Sequence, residues 1–506
     1  MKVRRLLIVD GYTDEPAGLG VPPYLDVYPR EAYGAMKMVS KDNKIYYFTI
    51  DEVRKNFEKY VEKAKEVDLI LVIAGALVPG KYLGGEPLRD PEELMMLKRF
   101  VDKPIALAGP AASLGLGGIG GSRTVNVNVD YKIRGRLSYW VYQAAKEGIE
   151  MAEDTYDFDY SFVSKALTLG AEVILQHPNL TLGNLVIELE TFKGCPRRIS
   201  GGCSFCLDVL KGSVKQRSAE DIVREVEALY SFGARSFRLG RQSDILVYGS
   251  DEIDREEWPR PKPEALERLM RGIRYVAPSL MTLHIDNVNP GTVVRWSKES
   301  EEALKVIVRY HTPGDVAALG IESVDPKVVK INNLKVDLEE ALEAVRIINK
   351  VGRVRGWNGL PHLLPGLNFI AGLPGESKKT WELNEELLRR IEEEGLLVRR
   401  VNVRKLSIIE GTRVSKMVKR VKVAKGYESF RRFVMEWQRR MLAKVVPKGT
   451  ILYNVMVEKV EGKVSYARYP GSYPLTVEIP MPLPVGKWLR VKVKRHHARS
   501  VVAEAI

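Results

Sequence analysis

Leu185-Val186-Ile187-Glu188-Leu189-Glu190-Thr191-Phe192-Lys193-Gly194-Cys195-Pro196-Arg197-Arg198-Ile199-Ser200-Gly201-Gly202-Cys203-Ser204-Phe205-Cys206 decides how the chain is read. It opens on a short apolar run, the pattern of a buried strand, and continues into a loop that holds every cysteine of the chain. From there a βα rhythm persists to about residue 403. Strands are expected at 185–189, 236–239, 281–285, 316–320, 366–370 and 400–403, with helices between them, for example 219–230, 263–276 and 338–350. Six βα units over about 215 residues suit an open or partial (β/α) barrel, whose site lies at the carboxyl ends of its strands. The cysteine loop is the carboxyl-end loop of the first of them.

Clustered thiolates are soft metal ligands. A structural zinc site wants four ligands, and the six histidines (177, 284, 311, 362, 496, 497) lie outside the loop. Three thiolates without a local fourth ligand suit a [4Fe–4S] cluster with one iron left open to bind substrate or cofactor. The competing reading is three buried, inert thiols, against which stands the gathering of every cysteine at one strand end.

Upstream, residues 1–125 alternate short apolar runs with amphipathic stretches. Strands are expected at 5–10, 44–50, 67–74 and 104–108, and helices at 30–38, 51–66 and 91–101. That alternation means a parallel sheet with helices on both faces, which takes ligands at the strands' carboxyl ends. The turns there carry Gly11, Gly75, Gly80, Gly84–Gly85 and the run from Gly109 to Gly121, without a phosphate-binding fingerprint. Residues 126–184 read as a connector, 411–445 as a linker with a basic helix, and 446–506 as short strands broken by Gly and Pro, a small β-barrel.

Of 506 residues, 79 are Lys or Arg and 65 Asp or Glu, a net charge of +14. The excess is local: residues 401–506 hold 23 basic and 7 acidic residues, and residues 1–400 hold 56 and 58. Such a field attracts polyanions, nucleic acid being the commonest, although a Lys-rich surface of a heat-adapted protein is the plainer account. No run of about 18 apolar residues occurs, so no transmembrane helix is expected. The apolar run 6–9 stops at Asp10, too short for a signal-peptide core, and three cysteines make no disulfide framework. The expected compartment is the cytoplasm.

The cysteine loop resembles that of radical S-adenosylmethionine (radical SAM) enzymes, in which three cysteines of a CxxxCxxC motif bind the cluster and the open iron takes the amino and carboxylate groups of SAM. Cys203-Ser204-Phe205-Cys206 keeps the second half of the motif, with Phe205 before the last cysteine. Seven residues separate Cys195 from Cys203 where the motif has three. The resemblance covers residues 185–410 and implies Cys195, Cys203 and Cys206 as cluster ligands. Leu319-Gly320-Ile321-Glu322-Ser323 resembles the fourth-strand segment whose Glu contacts the SAM ribose. Phe369-Ile370-Ala371-Gly372-Leu373-Pro374-Gly375-Glu376-Ser377 resembles the segment of the sixth strand. Leu239-Gly240-Arg241-Gln242-Ser243-Asp244 stands where the family carries Gly-Gly-Glu for the SAM amino group, so that contact falls to Gln242 or a backbone carbonyl. The cofactor-binding set is therefore Phe205, Gly240, Gln242, Glu322, Ser323 and Gly372. Polar residues after the strands, His284, Asp286, Asn287, Arg355, Asn358, His362, Asn368 and Arg399 to Arg404, are expected at the barrel mouth.

The two flanks also resemble known units. Residues 446–506 resemble a TRAM domain, a small RNA-binding β-barrel that often ends tRNA-modifying enzymes, and Arg468, Tyr469, Lys492, Lys494, Arg495 and His496 are its expected RNA contacts by charge and stacking. Residues 1–125 resemble the flavodoxin-like units that precede some radical SAM barrels. One kind binds cobalamin, although the Asp-x-His-x-x-Gly signature is absent here. The other holds a second cluster on three cysteines, and no cysteine precedes Cys195. Together the resemblances imply a transferase that modifies tRNA at an unactivated carbon by adenosyl-radical chemistry, methylation being the first choice. Its partners would be tRNA and a one-electron reductant such as a ferredoxin or flavodoxin, with no membrane. The alternatives are a small-molecule or protein substrate, or an iron–sulfur RNA-binding scaffold without catalysis.

Overall fold

The computed structural model describes residues 1–13, 23–75, 83, 85–117 and 124–506. Of the glycines read as strand-end turns, Gly80, Gly84, Gly118, Gly120 and Gly121 lie outside the described residues. The chain divides into two units: Met1–Leu189 with Arg217–Phe237 and Tyr275–Leu280, and Glu190–Gln216 with Arg238–Arg274 and Met281–Ile506.

The first unit is built on a parallel sheet of β1 (Arg5–Asp10), β2 (Lys44–Thr49), β3 (Leu69–Ile73), β4 (Ile105–Ala108) and β5 (Tyr131–Lys132), in the order β2-β1-β3-β4-β5. That is the flavodoxin-like order of doubly wound sheets. β1 and β3 are apolar on both sides and buried throughout apart from Arg5, as strands covered on two faces must be. The expected long helix after β2 is two helices, Ile50–Lys55 and Phe57–Glu66. Asn56 breaks it, because its side chain accepts from Lys59 N–H and caps the second helix. The stretch read as a connector folds into helices Leu137–Lys146 and Tyr160–Leu169. Helix Val27–Val39 crosses the second of these at Gly34, where any Cβ would strike the Ala166 carbonyl. Within this core Arg30 and Arg217 both pair with the fully buried Glu225, at 3.0 and 2.7 Å.

All six expected barrel strands are present: β6 (Val186–Glu190), β7 (Ser236–Gly240), β8 (Thr282–Ile285), β9 (Asp315–Glu322), β10 (Leu363–Ala371) and β11 (Arg400–Lys405). β6, β7 and β8 lie side by side in that order, and a short strand, Asn287–Val288, carries the line on to β9, β10 and β11. The pairings among the last three are parallel. One strand was invisible in the sequence: Tyr24–Leu25 pairs in parallel with Val186 and Ile187. It is two residues long and carries no periodicity to read. The helices between strands have ordinary causes. Helix Leu338–Gly352 starts at a capping box of Asp337 and Glu340 and buries Leu342, Val345 and Ile348 on one face.

The chain ends in β12 (Ile451–Glu461), β13 (Val464–Arg468), β14 (Thr476–Ile479), β15 (Trp488–His496) and β16 (Ser500–Ala505), closed as β12-β13-β14-β16-β15. Closure removes the free edges that five short strands would otherwise expose. The basic helix before it, Tyr427–Val445, turns Phe430 and Trp437 inward and holds Arg440 on Glu392 at 2.9 Å.

Candidate active site

The cysteine loop follows β6. Gly201 and Gly202 have φ of +80° and +56°, which lets the chain reverse just before Cys203. Arg197, missed as a site residue, organises this turn. It is buried, and its guanidinium donates to Cys203 Sγ at 3.2 Å, Asn333 Oδ1 at 3.1 Å and Glu257 Oε1 at 3.1 Å. Ser204 donates to Asn332 through N–H and hydroxyl, at 3.0 and 2.7 Å. Cys203 packs among Val328, Leu334, Leu373, Leu406 and Val414, with Phe205 and Cys206 at the margin. A segment at 412–425 lies over the loop: Val414 N–H donates to Ser204 O at 2.8 Å, and Arg413 to Gly202 O at 3.1 Å.

The loop's electrostatics suit a charged group that is shared among the thiols. Burial pushes the Cys195 thiol up to about 11, with Asp208 and Cys203 adding to the effect. Burial raises Cys206 too, with Asp208, Cys203 and Cys195 as further causes, so the three sulfurs feel one another. Burial works against the Lys335 ammonium, yet Cys203, Glu322 and Cys206 hold its pKa above the usual value. A coordinating metal reverses the preference of such thiols for the proton. Among the described residues no three His, Cys, Asp or Glu side chains gather round one point as a single ion requires. A cubane places its cysteine ligands on separate irons, so adjacent but unjoined thiols beside two cations, Arg197 and Lys335, fit it better than a mononuclear metal.

Glu322 ends β9 at a bulge, where the register slips between Gly320 and Glu322, and it adopts φ +65°. A left-handed glutamate at a bulge is the strained backbone met where a side chain must be aimed. It is buried, and burial raises its pKa to about 7 against the pull of Lys335 and Arg404. A Cβ on Gly320 would lie 2.5 Å from Lys335 Nζ and 2.7 Å from Glu322 Oε1, so the missing side chain makes room for that pair. Gln242 is buried; its Nε2 donates to Leu239 O at 3.3 Å, its backbone carbonyl accepts from Asn287 Nδ2 at 3.1 Å, and its Oε1 has no partner among the described residues. An unsatisfied buried acceptor suits an ammonium donor. Gly240 accepts from Thr191 N–H at 3.2 Å. The Ser323 hydroxyl accepts from Asp325 N–H at 3.2 Å and so steadies the following turn. Gly372 has φ +92° and donates to Glu376 Oε2 at 2.6 Å; it follows β10, the fifth strand rather than the sixth.

Other expectations are redistributed. The register sets Asn287 opposite Ala318 and Leu363 opposite Asp315, so His284 and His362 belong to the amino end of the barrel, not its mouth. There Asp315 Oδ2 meets His311 Nδ1 at 2.9 Å, and His311 Nε2 meets His362 Nδ1 at 3.3 Å. On the terminal barrel, Lys492, Lys494 and Arg495 are exposed. Lys494 pairs with Glu504, and His496 Nε2 lies 2.6 Å from Val446 O. Arg468 and Tyr469 are 5% and 6% exposed: Arg468 is paired with Glu458, and the Tyr469 hydroxyl donates to Met281 O. The structure thus takes these two out of the surface set, because their polar ends are spent inside the protein.

The sequence profile of the Radical SAM superfamily matches residues 189–391. An uncharacterized protein of Methanocaldococcus jannaschii is 40% identical over 523 residues, covering 100% of this chain and 94% of its own length. The ribosomal protein uS12 methylthiotransferase RimO of Stenotrophomonas maltophilia is 23% identical over 338 residues, 63% of this chain and 66% of its own. Among solved structures, the radical S-adenosylmethionine methyltransferase TsrM from Kitasatospora setae shares the fold, with TM-score 0.51, 12% identity, and coverage of 91% of this chain and 79% of that one. The profile match opens at the strand that delivers the cysteine loop and runs past Glu322 and Gly372, and on that footing the chain belongs to the radical SAM superfamily.

Proposed function

We propose that Cys195, Cys203 and Cys206 hold one [4Fe–4S] cluster, that SAM lies against Gln242, Glu322 and Gly372, and that the substrate is tRNA, altered at an unactivated carbon. Membership of the superfamily implies the cluster and SAM, which together supply one-electron cleavage of the sulfonium and a 5′-deoxyadenosyl radical. This chain's residues do the rest. Arg197 holds Cys203, the unpartnered Gln242 Oε1 accepts from the SAM amino group, and the Glu322 carboxylate accepts from the ribose hydroxyls. The electron comes from a reductant such as a ferredoxin or flavodoxin.

The observation that carries the RNA reading is the strand β15, which turns Lys492, Lys494 and Arg495 outward on a closed barrel at the basic end of the chain. Methylation leads among modifications. The parallel sheet of the first unit offers strand ends of the kind that bind cofactors, where cobalamin would carry the methyl group. RimO is named a methylthiotransferase, but with all three cysteines in one loop this chain has none to hold the auxiliary cluster that sulfur insertion draws on. A protein or small molecule as substrate is the second reading, favoured by the burial of Arg468 and Tyr469.

The test is anaerobic. Reconstituted protein with reductant and SAM should release 5′-deoxyadenosine, and mass spectrometry should find a new nucleoside in added tRNA. Changing any of the three cysteines to Ala should remove the iron. SAM cleavage without any change in tRNA would move the substrate to the second reading. Full tRNA modification by a cobalt-free preparation would exclude cobalamin.

A further inference from the structure

β11 alternates as strands do: Val401 is fully buried, while Arg400, Asn402 and Arg404 point the other way. On that side Asn402 Nδ2 donates to Asn368 Oδ1 at 3.0 Å. The Arg400 guanidinium stacks on the Tyr473 ring at 3.7 Å, and the Tyr473 carbonyl accepts from Arg399 at 3.2 Å. Tyr473 is itself buried.

The other arginines drawn into this unit have partners: Arg274, Arg355 and Arg399 donate to backbone carbonyls, and others pair with acids. Arg197 has Glu257, Arg241 has Glu190 at 3.1 Å, Arg238 has Asp286 at 3.8 Å and Arg468 has Glu458. The guanidinium of Arg400, half-buried, has no hydrogen bond and no carboxylate among the described residues. Its neighbours aggravate this. Its pKa is lowered to about 9, by burial above all and by the like charges of Arg404, Arg399 and Arg499, with Tyr473 opposing them. An enclosed cation facing other cations is unfavourable unless an anion completes the site. The planar fork of a guanidinium held on an aromatic face matches the oxygens of a phosphate, and the positive charge of Arg399, held on the same tyrosine, favours phosphate over a single carboxylate.

We infer that Arg400, seated on Tyr473 and flanked by Arg399, Arg404 and Arg499, receives a phosphate group of the substrate. The phosphate belongs either to an RNA phosphodiester or to a small phosphorylated molecule. The inference deepens the proposed function, but the binding of phosphate does not depend on tRNA being the substrate.

The experiment titrates full-length protein calorimetrically with inorganic phosphate and with a 12-nucleotide RNA lacking terminal phosphates. Wild type should bind phosphate saturably. Arg400→Gln should weaken it about tenfold, the loss of one charge-assisted contact. Arg400→Lys, which keeps the charge without the fork, should weaken it about threefold. Arg271→Gln, at an exposed arginine on helix Pro263–Val276, should change nothing. Should Arg400→Gln fail to fold, Arg400→Lys alone decides. Equal phosphate affinity in wild type and the Arg400 variants, or no saturable binding, overturns the inference. Parallel loss of RNA affinity in Arg400→Gln assigns the phosphate to RNA. Loss for phosphate alone assigns it to a small molecule, so that the inference stands while the tRNA reading falls.

Discussion

Strand β9 carries a buried acid at each end, and the protein surrounds the two in opposite ways. Asp315 opens the strand. Its carboxylate accepts from Ile285 and Val316 N–H at 3.0 and 2.8 Å and meets His311 at 2.9 Å. Glu322 closes the strand on a bulge with a left-handed backbone, and its carboxylate makes no hydrogen bond among the described residues. Burial raises both, Asp315 to about 6 and Glu322 to about 7. A shifted pKa therefore does not separate them; the accounting of hydrogen bonds does. An acid whose oxygens are already used holds the fold together, whereas one aimed by strain, with cations near but no hydrogen-bond donor on its oxygens, waits for a ligand.

Three measurements press on that contrast. The largest effect is expected from Asp315→Leu. It strands two backbone N–H groups and the His311 ring, and should lower unfolding free energy by about 3 kcal/mol in a urea titration. A variant as stable as wild type would erase the distinction. Glu322→Gln should leave the melting temperature nearly unchanged but weaken SAM binding roughly tenfold, the scale of a hydrogen bond to a charged acceptor. The reverse result, lost stability with intact binding, would make Glu322 structural as well.

The smallest effect concerns pH. Burial lowers the pKa values of His284, His311 and His362 below 6.5, so the unfolded chain binds their protons first. Their contribution to stability is present above pH 6.5 and is lost as pH falls below it. Asp315, with a raised pKa, acts in the opposite sense between about 4 and 6, and so, up to about 7, do the buried acids Asp10, Asp244 and Glu322. The measurement is therefore the difference between two proteins: between pH 6.5 and 5 the stability curve of His311→Gln should fall less steeply, or rise more steeply, than that of wild type, because the variant has one fewer neutral histidine to charge. Identical slopes would mean that the amino-end histidines accept protons without penalty.

The same contrast shows what could be read from residues alone. The six barrel strands and the closed terminal barrel announce themselves through hydrophobic runs and turn residues, and the cysteines through their spacing. Glu322 was reachable because its neighbours spell a segment with a known counterpart. Arg197 and Lys335 were not, since a basic residue beside a cysteine carries no sign of where its side chain goes until Asn333, Glu257 and Gly320 are brought next to it. His284 and His362 were set at the wrong end of the barrel because a polar residue near a strand does not say which end it occupies. Only the pairing with Asp315 and its neighbours decides that. Tyr469 shows the remaining gap: an aromatic beside an arginine on a basic barrel has the composition of an RNA contact, and tertiary packing against Met281 turned it inward.

The segment at 412–425 bears on how long a loaded site survives. Its Val414, Val418 and Val421 press on the cysteine loop, while Arg413, Lys416, Lys419, Arg420, Lys422 and Lys425 face solvent. It is tied down by few bonds, among them Val414 to Ser204 and Ala424 to Glu376 at 2.7 Å. Dioxygen attacks exposed iron–sulfur centres, and these valines pack on the cluster of apolar side chains that buries Cys203. With the proposed cluster in place, cutting this short cationic strap with trypsin at its lysines should turn a slow bleaching in air into a fast one.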